Sequence, residues 1–78
     1  MENFFEKNHE TICAIGQKHK ADLGTALDML VYDMVNNQRY TLGLMSRVKY
    51  EDMQMEYRKT GAPELSRMRG EYVRRHIK

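Results

Sequence analysis

LGTALDMLVYDMVNNQR, residues Leu23 to Arg39, is the stretch on which the fold class turns. Leu23, Ala26, Leu27, Leu30, Val31 and Met34 recur at i, i+3, i+4, i+7, i+8 and i+11, which places them along one side of a 3.6-residue helix. Asp28, Asp33 and Asn36 fall outside that stripe, and Asp22 ahead of it is of the type that caps a helix N-terminus. The spacing predicts a core-facing helix over 23–39, the spine of the protein.

Working outward toward the N-terminus, Phe5, Ile12 and Ile15 share a side at spacings of seven and three and predict a helix over 3–18. Gly16 lies near its end, and the run Gln17-Lys18-His19-Lys20 puts cations where a helix C-terminus favours them. Toward the C-terminus a helix is expected over 42–59, with Thr41 as its cap. Because no proline interrupts 23–59, one continuous helix over that span is the alternative. Gly61 suits a left-handed C-terminal cap, and Pro63 suits the first position of a last helix over 63–77, where its missing N–H costs nothing. Leu65, Met68 and Tyr72 form that helix's inner side. Strand signals are limited to Val31-Tyr32 and Val48, inside helical periodicity, and no Asn-Gly or Asp-Gly hairpin turn occurs. The expectation is a single all-α domain of four helices.

A chain of 78 residues is near the lower end of sizes that fold alone, and one core of this size supplies only about 3–5 kcal/mol. Self-association is one remedy. A disulfide within the chain is not, because Cys13 is the only cysteine, and a lone thiol fits a reducing compartment. The opening Met1-Glu2-Asn3-Phe4-Phe5-Glu6-Lys7 mixes acids and bases where a signal peptide needs an apolar run. The longest uncharged apolar stretch, Met29 to Tyr32, is four residues, too short to span a membrane. A cytoplasmic protein is expected.

Catalytic and metal chemistry find little footing. His9 and Cys13 stand four apart, but with His19 they make too few ligands for a structural zinc, and His76 is distant in sequence. As a nucleophile pair, Cys13 and His9 sit beside Glu6 and Glu10, which raise a thiol pKa. Gly43, Gly61 and Gly70 stand alone and make no phosphate loop. The chain is expected to need no metal or cofactor and to catalyse nothing.

Two features remain. In the third helix Leu42, Tyr50, Met53 and Tyr57 cluster on one side, and Leu44, Val48 and Met55 on the other. With Val48 in the drier set, Leu44, Val48 and Met55 are expected inward, leaving Leu42, Tyr50, Met53 and Tyr57 as a surface for a protein partner or a second copy in a homodimer. The second feature is charge. Of the net +2, the last eighteen residues carry +3, with Arg67, Arg69, Arg74, Arg75 and Lys78 as cations for electrostatic steering. Arg67, Arg74 and Lys78 share a face, a row that could also contact phosphates, but no helix-turn-helix, zinc-finger or RNA-binding signature accompanies it. The reading is a non-enzymatic interaction module, a small regulator or inhibitor of the kind that phages and other mobile elements encode, docking on a larger partner. A nucleic-acid-binding regulator using the basic last helix is the alternative.

Overall fold

A computed structural model describes residues 2–77. These form α1 (Phe4–Lys7), α2 (His9–His19), α3 (Leu23–Asn36), α4 (Arg47–Thr60) and α5 (Ala62–His76), with no strand among the described residues. The Cα radius of gyration, 11.6 Å, matches the roughly 11.5 Å of a compact chain this long. The accessible surface of 5275 Å² is close to the roughly 5,000 Å² of a folded monomer of this mass.

α3 is the spine. Asp22 caps it, its Oδ1 accepting from the Thr25 N–H at 2.8 Å. Ala26, Leu27, Leu30 and Met34 are buried, and Leu23 and Val31 pack at the margin of the core. α2 lies most intimately against α3 because Gly16 leaves room: a Cβ there would meet the Ala21 carbonyl oxygen at 3.0 Å and the Ala26 methyl at 3.6 Å. α2 ends at Lys20, whose left-handed backbone returns N–H groups to the Gly16 carbonyl.

The first expected helix is two. Asn3 caps α1 by accepting from the N–H groups of Phe5 and Glu6, and the chain breaks step at Asn8, whose side chain turns back to donate to the Phe4 carbonyl at 2.8 Å. The break lets Phe4 and Phe5 both enter the core, with rings edge to face at 5.3 Å. α1 is tied to α5, where the Asn3 amide donates to the Met68 carbonyl at 2.9 Å.

The continuous helix over 23–59 does not form. α3 stops at Asn36, α4 begins at Arg47, and the ten residues between carry left-handed backbone at Asn37 (φ 55°), Arg39 (φ 65°) and Gly43 (φ 83°). Ser46, not Thr41, caps α4, accepting from the Lys49 N–H. Gly61 has positive φ (85°) with ψ 148°, an extended conformation close to glycine-only, and not the left-handed helical cap expected of it. Pro63 lies in the first turn of α5, and Met68 and Tyr72 are buried as its spacing predicts.

The facing of α4 is the reverse of the sequence expectation. Met53 is 4% exposed, whereas Val48 is 68% and Met55 56% exposed. Tyr50 and Tyr57 pack on the core, and Leu44 is half-buried in the preceding loop. A tyrosine buries more apolar area than a valine once its hydroxyl has a partner, and Tyr50 finds one on α3.

Candidate docking groove

That partner is Asp33, completely buried on α3. Its Oδ1 accepts from the Arg39 N–H (2.8 Å) and the Tyr50 hydroxyl (3.0 Å), and its Oδ2 from the Thr41 N–H (2.9 Å) and hydroxyl (2.5 Å). Four donors replace the water such a carboxylate would otherwise need. The phenol has one proton, so its 2.7 Å contact with the Asn37 side chain is met when that amide turns its NH₂ toward the phenol oxygen. Burial, then the hydrogen bond to Asp33, pushes the Tyr50 pKa up to about 12. The carboxylate thus folds the 37–46 loop and seats α4 beside α3.

α4 leads through Gly61 into α5, and residues of α3, α4 and α5 line an open groove of about 530 Å³. Val31, Met34 and Val35 of α3 form one wall, and Ala62, Leu65 and Ser66 of α5 face it. Phe5 and Tyr57 contribute the floor, with the Tyr57 ring edge to face on Phe4 at 5.6 Å. Burial raises the Tyr57 pKa, and its hydroxyl has no hydrogen-bond partner among the described residues. The charged residues of the lining are Arg58 and Arg69, with no carboxylate. Arg69 is committed to Asp28 at 2.7 Å, a pair joining α5 to α3. Arg58 is exposed and has no ion-pair partner among the described residues. Val35 (54%) and Tyr32 (58%) are exposed on α3, and Met55 borders a separate cavity with Glu51 and Arg58 on α4.

The residues expected as a partner surface are therefore dispersed. Met53 is in the core, Tyr50 is spent on Asp33, Tyr57 floors the groove, and Leu42 alone is exposed (66%), at a separate loop cavity with Arg39, Met45 and Arg47. The cations of the last helix are largely neutralised. Arg67 bridges Glu64 (2.7 Å) and Glu71 (2.5 Å), Arg69 holds Asp28, and Arg75 reaches Glu6 at 3.4 Å. Arg74 is exposed without an ion pair among the described residues, and Lys78 lies outside them. Val35 and Arg58 were missed from sequence. Val35 lies one position beyond the apolar stripe, and Arg58 next to Lys59 reads as an ordinary helix-end cation.

His9 and Cys13 do meet, with Nε2 3.5 Å from Sγ, and His76 joins them despite its distance in sequence, stacked on His9 at 4.4 Å between ring centroids. His9 Nδ1 lies 2.7 Å from the Tyr72 hydroxyl, and His76 Nε2 lies 3.0 Å from Glu6. His19 is elsewhere, 3.3 Å from the Tyr40 carbonyl. Among the described residues no group of three or more His, Cys, Asp or Glu side chains is placed to share a metal ion, and no helix is long and apolar enough to cross a membrane. No family model, curated protein or solved structure matches the chain.

Proposed function

We propose that the chain is a non-enzymatic protein-interaction module that regulates a larger partner by docking on it through the α3–α4–α5 groove. The observation that carries the reading is the groove's largely apolar lining, which holds no carboxylate. Val31, Met34, Val35, Tyr57 and Leu65 line the groove, and Val35 is 54% exposed. An apolar groove is a surface into which the apolar side chains of a partner can pack. The ion pairing of Arg67, Arg69 and Arg75 counts against the nucleic-acid alternative, since phosphate contacts would have to compete with carboxylates already in place.

The test is affinity capture from the native host with the wild type, with Val35→Glu/Met55→Glu, and with Gln17→Glu on the exposed end of α2 as control. A specific protein held by the wild type and the control but lost with the double variant supports the reading. The same protein retained by the double variant, folded by circular dichroism, moves the site elsewhere.

A further inference from the structure

We infer that the occupant of this groove is an amphipathic helix of a partner protein, with an apolar ridge and a carboxylate beside it that meets Arg58. The inference rests on the docking reading above and adds the chemistry of the partner. Its basis is charge complementarity. Every charged group lining the groove is an arginine, and the two hydroxyls there, of Tyr57 and Ser66, can also donate. Arg69 already has Asp28, so Arg58 is the guanidinium left to a ligand among the described residues. An apolar floor with a cation at its rim is matched by apolar side chains flanked by an acid, and a helix offers these together at i, i+3 or i+4, and i+7. The guanidinium fork favours a carboxylate bound through two oxygens.

A second copy of this chain fits the groove less well. Pairing across a two-fold axis apposes one patch to itself, which would bring Arg58 and Arg69 toward their own counterparts in a groove whose lining has no acid. The accessible surface, already that of a folded monomer, removes the need for a partner to complete the core.

The experiment uses a displayed library of 15-residue helical peptides, with the ridge positions varied among apolar residues and the flanking positions among Glu, Gln and Lys. Selection is made against the full chain at physiological salt. Enriched peptides are then titrated by fluorescence anisotropy against the wild type, Arg58→Glu, Val35→Glu and Ser66→Glu, all at exposed positions. We expect enrichment of Glu beside the ridge and at least a tenfold loss of affinity with Val35→Glu. Arg58→Glu should lose five- to tenfold, recovered when the peptide's Glu is exchanged for Lys. Ser66→Glu, which adds a like charge by another route, should weaken acidic peptides and spare neutral ones. Enriched peptides that lose affinity with Val35→Glu but show no acid preference and ignore Arg58→Glu would overturn the partner chemistry and leave the docking site standing. Binding indifferent to Val35→Glu would overturn the site as well. No enrichment, with laurate binding in an Arg58-dependent manner, would assign the groove to a small anionic amphiphile, and no enrichment without it would also overturn the inference.

Discussion

Asp33 looks, by position, like a surface residue that interrupts a good helix, yet it is the most deeply committed polar side chain in the protein. Replacing it with alanine leaves the Arg39 and Thr41 N–H groups and two hydroxyls without their acceptor. Buried donors stranded in this way cost about 1–3 kcal/mol each, of which local relaxation of an otherwise exposed loop recovers a part. Asp33→Ala is expected to destabilise the fold by about 2–4 kcal/mol in urea denaturation, with hydrogen-exchange protection lost first over 37–46. A loss below about 0.5 kcal/mol would contradict the role. The same residue scale governs alkaline behaviour. Burial first, with Asp33 beside Tyr50 and with Cys13 and Glu6 near Tyr72, raises both phenols to about 12 from the ordinary 10.0. A folded-state pKa raised above the unfolded one means that the stabilisation is complete below about pH 10 and disappears as pH rises toward about 12. Absorbance at 295 nm should show these two phenols ionising only as the fold melts, and Tyr50→Phe should narrow the alkaline loss.

At the scale of helices, α3 was legible because its pattern is local: six apolar residues at helical spacing say which side goes inward. Tyr72 and Met68 on α5 were legible in the same way. α4 was not, although its two-sided pattern was plain. Which side faces in depends on an acceptor seventeen residues away, Asp33, that a reading along the chain places outside the stripe. The same carboxylate holds the left-handed turn at Arg39, and the Asp33 backbone carbonyl accepts from the Asn37 N–H at 2.8 Å, so the break between α3 and α4 has no glycine or proline of its own to announce it at Asn37. The observed facing makes a paired prediction. Met53→Ala should cost about 2–4 kcal/mol through the cavity it leaves, while Val48→Glu with Met55→Glu should stay within about 0.5 kcal/mol per site of the wild type. Thermal melts with matched denaturant titrations decide it, and the opposite order would restore the facing drawn from the sequence.

Across the whole molecule, contacts remote in sequence close the fold. Glu6 on α1 receives His76 and Arg75 from the end of α5, Lys7 meets Glu56 of α4 at 3.1 Å, and Arg69 joins α5 to Asp28 of α3. The hydrogen bond from His76, with the charges of His76 and Arg75 behind it, lowers the Glu6 pKa below 4.5. A lowered folded-state pKa contributes stability that is present above the unfolded value and lost as pH falls through the folded one. The melting-temperature gap between wild type and Glu6→Gln should therefore be open at pH 6 and shrink as pH falls below the ordinary carboxylate range; a gap constant with pH would assign the clasp to packing alone. These ion pairs leave Arg58 as the groove's uncommitted cation among the described residues, a property that the composition of the last thirty residues does not reveal.

The proposed docking of a partner in the α3–α4–α5 groove makes a prediction that is local to named residues. Its most direct test is an amide and methyl NMR titration of the isotopically labelled chain with the protein captured from the host, or with a peptide enriched as above. With a partner in the groove, the largest shifts are expected on Val31, Val35, Tyr57, Arg58, Ala62 and Leu65, with the Glu6–His9–His76 cluster unmoved. Shifts concentrated on that cluster, on the loop around Leu42, or along Arg67 and Arg74 with the groove silent, would contradict it.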